Sequence, residues 1–148
     1  MDRLYNNEAL VGCVILRILK NGPMDITRLA IIVTILMTDK IRTRLIKMRQ
    51  TSMPNTISLS CSDLITNRIY QEMLVVTINS LVILSQSDLV LIRKDSIALM
   101  PKGDSINADL QTIKSKRFTD ILKKVPIMLN RLDGISTAQL YKSLNIQL

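Results

Sequence analysis

The chain has 148 residues and a net charge of +8, and 47% of its residues are apolar. It contains one Phe, three Tyr and no Trp, so the core must be built from aliphatic side chains. Four Gly and four Pro are too few for a disordered chain, and their scarcity favours helices. The positive charge favours an anionic partner, usually nucleic acid, while a basic surface that only gives solubility is the alternative.

The cysteines and the apolar runs indicate where the protein resides. Cys13 and Cys61 are isolated and His is absent, which disfavours a zinc site and is typical of reduced thiols. The first residues lack the basic segment and apolar stretch that export requires. The longest apolar runs, at 29–37 and 73–84, are shorter than the ~20 residues that span a bilayer. We therefore expect a cytoplasmic protein with no membrane association.

Two apolar helices are predicted at the start of the chain. Residues 8–20 repeat apolar side chains at three- and four-residue spacing, and "NGP" ends this helix because proline cannot continue it. Residues 25–36 form the second helix, with Asp25 or Thr27 as its N-cap.

A basic helix and a long apolar helix follow. The basic helix covers "KIRTRLIKMRQ" at 40–50, and the Ser/Thr-rich stretch 51–63 predicts a loop. Residues 66–84 carry apolar side chains in neighbouring helical stripes, which predicts a long helix, although the many Val and Ile residues leave a strand possible near its end.

The last third of the chain predicts a hairpin and two more helices. In "DLVLIRKDSIALMPKG" (88–103), two short apolar runs flank a polar turn, which predicts a β-hairpin. The following "PKGDSIN" is interpreted as a polar linker that leads into an amphipathic helix over 109–124. A short final helix over 138–144 has Ser136 or Thr137 as its cap.

This order of elements predicts a mostly α fold with one domain, 1–148. Two helices joined by a tight turn, a later helix and then a hairpin are the order of a winged-helix domain. We assign core helices and wing to 8–100 and a C-terminal helical extension to 106–148. Arg93 and Lys94 would lie at the tip of the wing, where positive side chains suit contact with nucleic-acid phosphates or simply a solvated turn.

The hairpin is apolar on both of its faces. If Val90 and Ile92 point to one side, Leu89 and Leu91 point to the other. One face is expected to lie on the domain and the second to be covered by a partner protein or by the helix at 109–124. The predicted partner interface consists of Leu89, Leu91, Ile97 and Leu99.

A second group of positive side chains lies in the basic helix, with only Asp39 nearby to offset it. Its members spread around the helix, so part of the group must be exposed, to nucleic acid or to an acidic protein. The predicted nucleic-acid contacts are therefore Arg93 and Lys94 together with Lys40, Arg42, Arg44, Lys47 and Arg49.

The sequence offers no recognisable catalytic centre. It has no His, no paired Cys and no Gly-rich phosphate loop, because its four glycines are scattered. Most carboxylates fall at helix starts or turns, where capping accounts for them. We predict a protein that is not an enzyme and has no cofactor or metal; a nuclease with a carboxylate-only metal site, using a residue such as Asp63, is the alternative.

The whole layout resembles the middle component of bacterial three-component ABC-ATPase conflict systems, the group that includes Lamassu-type anti-phage defence. The resemblance runs over nearly the full chain as a pattern of helix lengths and soft motifs. The final stretch departs from the family pattern by extra polar residues and by "LN" in place of "LG". The matching stretches are "NNEALVGCVILRIL" (6–19), "MDITRLAIIVTILMTDKIRTRL" (24–45), "NRIYQEMLVVTINSLVIL" (67–84), "LVLIRKDSIALMP" (89–101) and "ISTAQLYKSLNI" (135–146).

This resemblance implies an accessory subunit without activity of its own. Such a subunit would bridge the heads of an SMC/Rad50-like ATPase and a nuclease-type effector, and would meet double-stranded DNA there. A stand-alone winged-helix transcription regulator is the alternative. The helix at 66–84 offers few polar side chains for reading bases, which argues against that alternative.

Overall fold

The structure is a computed structural model and describes residues 3–47, 64–144 and 146. This part of the chain is mostly helical, as predicted, with seven helices and three short strands. The predicted loop 51–63, Arg49 and Cys61 lie outside the described residues. The elements in chain order are α1 (Arg3–Leu19), β1 (Met24–Asp25), α2 (Ile26–Met37), α3 (Asp39–Ile46), α4 (Leu64–Gln86), β2 (Val90–Arg93), β3 (Ser96–Leu99), α5 (Pro101–Leu110), α6 (Lys116–Leu132) and α7 (Thr137–Ser143).

Helix α2 is the centre of the core. Every residue from 29 to 37 is buried, so the helix is covered on all sides rather than along one stripe. Helices α1, α3, α4, α6 and α7 all pack against it. The C-terminal helices α6 and α7 therefore share one aliphatic core with the first half of the chain.

Polar groups fix the start of α2 against the end of α6. Asp25 caps α2 by accepting a hydrogen bond from the Arg28 N–H at 2.8 Å, which confirms one of the two predicted caps. Partial burial opposes the charge on Asp25, but hydrogen bonds from Thr27 and Arg28 outweigh it and hold its pKa below the ordinary value. The Arg28 guanidinium donates to the carbonyls of Leu132 and Ile135 at 2.9 and 2.7 Å, at the end of α6.

The strands form a three-stranded antiparallel sheet in the order β1-β3-β2. Strands β2 and β3 are the predicted hairpin, with Val90 opposite Leu99 and Arg93 opposite Ser96. Strand β1 adds Met24 opposite Ile97, a pairing that the sequence did not predict because two residues carry no periodicity.

The hairpin is covered by its own domain, which corrects the predicted partner interface. Leu89 and Ile97 are buried in the core and are not available to another protein. Leu99 is half-buried, and only Leu91 of the predicted four is exposed, at 36%. The cover comes from β1, α1, α4 and the start of α5 rather than from the predicted helix at 109–124.

The region after the hairpin also differs from the prediction. The supposed linker "PKGDSIN" lies within α5, which starts with Pro101 in the first turn, a position that suits proline. The next helix begins at Lys116 instead of residue 109, because Ser115 caps it. The final helix α7 starts where predicted, with Ser136 and Gln139 forming a capping box.

A tyrosine pair joins α4 to α7. The hydroxyls of Tyr70 and Tyr141 lie 2.8 Å apart, and their rings meet edge to face with centroids separated by 5.9 Å. Burial, together with the hydrogen bond to Tyr141, raises the pKa of Tyr70 above its ordinary value. Tyr70 is therefore a packing residue that stays protonated at neutral pH.

Candidate nucleic-acid interface

Helix α3 turns one face to the core and the other to solvent. Ile41 and Leu45 are buried against the rest of the domain, and this orientation exposes Lys40, Arg44 and Lys47. The three positive side chains follow a three- and four-residue spacing, so they lie along one side of the helix. Arg49 lies outside the described residues.

Arg42 is a structural residue rather than an exposed cation, which corrects its predicted contact with nucleic acid. It is 6% exposed and donates to the Leu36 carbonyl at the end of α2. Its guanidinium also lies 2.8 Å from the Asp39 carboxylate and 3.6 Å from that of Asp120 on α6. Arg42 therefore joins three helices and is enclosed by two carboxylates.

Helix α6 adds positive charge that the sequence did not place beside α3. Phe118, Ile121 and Val125 are buried, so the residues between them face outward or lie at the edge of the contact. The positive residues in these positions are Lys116, Arg117, Lys123 and Lys124. Their outward direction follows from the amphipathic pattern, but their position next to α3 depends on the tertiary fold.

The facing sides of α3 and α6 form an open cleft of about 730 Å³, lined by Asp39, Arg42, Lys116, Arg117, Thr119, Asp120 and Lys123. A smaller recess of about 220 Å³ adjoins it across Arg42 and Asp120, and adds Lys47 and Lys124 to the lining. We call the two together the α3–α6 groove.

The charge balance of the groove is strongly positive. Both lining carboxylates, Asp39 and Asp120, are ion-paired with Arg42, and these three residues together carry one negative charge. The other five charged side chains of the lining are all cations: Lys47, Lys116, Arg117, Lys123 and Lys124. Cations that converge on one groove create a positive potential that attracts polyanions.

The wing tip lies away from this groove. Arg93 at the end of β2 and Lys94 in the turn are exposed at the tip of the hairpin, as predicted, and Lys94 has a positive φ of 53°. The adjacent Asp95 carbonyl accepts a hydrogen bond from the Ile26 N–H, which ties the tip to the start of α2. Helix α3 begins at the other end of α2, and the twelve residues of α2 span about 17 Å. The two predicted basic groups therefore do not form one surface.

The described residues contain no cluster of metal-ligating side chains. No group of three or more His, Cys, Asp or Glu side chains among them is placed to hold a metal ion. Burial raises the pKa of Cys13, so its thiol is protonated at neutral pH and is a poor nucleophile. Asp63, the carboxylate considered for a nuclease, lies outside the described residues.

Within the described part of the chain, one helix meets the length and composition of a membrane span. Residues 67–86 of α4 form an apolar stretch of 20 residues, and 33% of an 18-residue window in it is buried. The uninterrupted apolar runs in the sequence are shorter than this stretch, because polar residues divide them. The helix continues through those polar residues. Core helices of soluble proteins meet the same criterion, so this feature is weak evidence for a membrane.

Comparison with known proteins assigns no family. The chain matches no protein-family model, no curated protein and no solved structure.

Proposed function

We propose that this protein is a non-catalytic accessory subunit of an SMC- or ABC-type ATPase complex that acts against phages or plasmids. In that complex it bridges the ATPase heads and a nuclease-type effector, and it holds double-stranded DNA by its phosphates in the α3–α6 groove. The DNA contact is supported by one observation, the five cations of a groove whose two carboxylates are both paired with Arg42. The accessory role is supported by the sequence resemblance.

The order of elements supports a winged-helix-like domain. Helix α1, strand β1 and helix α2 precede α4 and the β2–β3 hairpin, and β3 lies in the middle of the sheet, as in winged helices. Helix α4 then takes the place of the helix that reads bases in DNA-binding members of that fold.

The surface of α4 does not favour the alternative, a transcription regulator. Its exposed side chains include Val75, Ile78, Val82 and Ile83, which offer no hydrogen bonds to base edges. Phosphate contacts by the groove position a protein on DNA without selecting a sequence. We therefore favour binding to DNA of any sequence, and protection of one defined operator in a footprinting assay would support the regulator instead.

The groove is tested by reversing two of its charges. The double variant Lys116→Glu/Lys123→Glu should weaken binding to a 30-bp duplex and reduce the slope of log K against log salt by about 2, since each phosphate contact contributes about 0.9. Fluorescence anisotropy at a series of KCl concentrations measures both quantities. The control Lys20→Glu/Lys102→Glu makes the same change in net charge at exposed positions outside the groove lining and should preserve most of the slope.

Equal loss of affinity in the two double variants would show that only net charge matters and would contradict DNA binding in the groove.

The wing is tested separately by Arg93→Glu/Lys94→Glu, which should weaken DNA association and flatten its salt dependence without unfolding the domain. An unchanged salt slope would exclude the wing tip as a phosphate contact.

The accessory role has its own test. The protein is co-expressed with the products of its neighbouring genes and analysed by gel filtration. Co-elution with an SMC- or ABC-type ATPase is expected, and elution of the chain alone would contradict the proposal. A gene neighbourhood without such an ATPase would count against it equally, whatever the groove binds.

A further inference from the structure

The outward face of α4 carries an apolar patch that no described residue covers. Val75, Ile78, Val82 and Ile83 are 59, 46, 47 and 52% exposed, and they are neighbours on one side of the helix. Together they expose roughly 300 Å² of aliphatic surface, within the range of the patches that are often functional on single proteins. Polar side chains border the patch, among them Arg68 and Glu72, and Asn79 lies within it and donates to the Glu8 carboxylate at 3.2 Å.

We propose that this patch binds a second copy of the same chain, with the two α4 helices antiparallel across a two-fold axis near Ile78. In a contact of this kind the same surface is used by both copies and must be complementary to itself. The axis brings Val75 of one copy beside Val82 of the other, so the aliphatic side chains meet across the interface.

The charges of the face fit a second copy. Helix α4 contains one positive and one negative residue, Arg68 and Glu72, which pair with each other at 3.3 Å. Arg68 lies ten residues before Ile78 and Asp88 lies ten residues after it, just past the end of the helix. An antiparallel arrangement therefore places Arg68 of each copy near Asp88 of the other.

The rest of the molecule disfavours other modes of self-association. A chain with a net charge of +8 repels its own copies, and the α3–α6 groove concentrates that charge. Two copies that meet through α4 bring each Arg68 to the Asp88 of the other copy and leave the basic groove outside the contact. The apolar patch exposes roughly 300 Å², and the polar rim adds to it toward the ~800 Å² per copy of a standard interface.

The patch also continues into a groove between α1, α4 and α5. Ile83 borders this groove, which has a volume of about 390 Å³ and is lined mainly by apolar residues, including Gly12, Cys13, Leu16 and Ile106. Side chains from the middle of the second α4 can insert there, which adds apolar area to the contact. This inference is independent of DNA binding and stands or fails separately from the proposed function.

The test is the mass of the purified full chain by sedimentation equilibrium at tens of micromolar. We expect twice the 16.7 kDa of the single chain, and at least about tenfold weaker association for Val82→Glu. The matched control is Ile127→Glu, an exposed apolar residue on α6, which should leave the mass unchanged. Circular dichroism verifies that both variants are folded.

Disulfide trapping gives a second measurement, which detects the dimer even when its affinity is low. In a background with Cys13 and Cys61 replaced by Ser, Ile78→Cys should form a covalent dimer on mild oxidation, and Ile127→Cys should not. A monomer at all concentrations, or a dimer that Val82→Glu does not weaken, would overturn the proposal. The proposal would also be overturned if the chain stays monomeric and its α4 patch instead binds phosphatidylcholine vesicles in a co-sedimentation assay, or if the patch is needed for binding to an ATPase partner.

Discussion

Two glycines in helices should respond to the same substitution with opposite signs. Gly12 lies inside α1 and Gly103 inside α5. A methyl group at Gly12 would meet its nearest neighbour, the Leu84 Cδ2, at 3.9 Å, an ordinary contact. At Gly103 it would lie 2.3 Å from the Leu89 carbonyl oxygen and 2.7 Å from Leu99 Cδ1, which are far too close.

The magnitudes follow from this difference in space. Alanine is favoured over glycine inside a helix by about 1 kcal/mol, so Gly12→Ala should raise the free energy of unfolding by about that amount. At Gly103 the obstacle is backbone, because the Leu89 carbonyl also accepts the Met100 N–H at 3.0 Å. The start of α5 must therefore move by roughly 1 Å, and overpacking of this kind lowers stability by about 1–3 kcal/mol.

Urea denaturation followed by circular dichroism at 222 nm measures both variants against the unmodified chain. The two should differ by about 2–4 kcal/mol, or roughly 4–16 °C in Tm for a chain of this length. If Gly103→Ala is as stable as Gly12→Ala, the close approach of α5 to the hairpin is not present in solution, and the packing described for the hairpin fails with it.

Three further predictions concern polar groups. Asp25→Ala should lower stability by about 1 kcal/mol through loss of the α2 cap. Because folding lowers the pKa of Asp25, this difference in stability should be present at neutral pH and should vanish as the pH falls through the pKa of the folded state. Tyr70→Phe should weaken the pH dependence of stability above pH ~10, since the raised pKa makes the folded state lose stability there, and alkaline melts of both proteins measure it. Arg42→Leu should lower stability by about 1–3 kcal/mol, because it leaves the Leu36 carbonyl and the Asp39 and Asp120 carboxylates without this partner; urea denaturation measures the change, and unchanged stability would contradict its structural role.

The sequence was sufficient where periodicity and caps decide the structure. The apolar spacing of α1, the Asp25 cap of α2 and the Ser136 cap of α7 are local features. Helices α2 and α7 start and end within one residue of their predicted bounds, and α1 ends within one residue but begins five residues earlier than predicted. The hairpin was predicted because its apolar runs and charged turn are also local.

Tertiary contacts decide what the sequence could not. The apolar faces of the hairpin indicated that other elements cover them. Two of these elements were not recognised in the sequence, because β1 has only two residues and α5 is too polar to show a helical apolar pattern. The basic helix was visible as a cluster, yet the burial of Arg42 depends on Asp120, which is 78 positions away in sequence. For the same reason the amphipathic pattern of α6 indicates that its cations face outward, but not that they are neighbours of α3.

The position of α6 near the end of the chain has a consequence for synthesis. Helix α2 is complete at Met37, but α6, which covers one side of it and binds Arg28, is translated ~80 residues later. At ~5–20 residues per second the nascent chain carries an incompletely covered apolar helix for several seconds, a period when a chaperone is useful. The groove between α3 and α6 does not exist during that time, so a chain truncated before α6 has no such site.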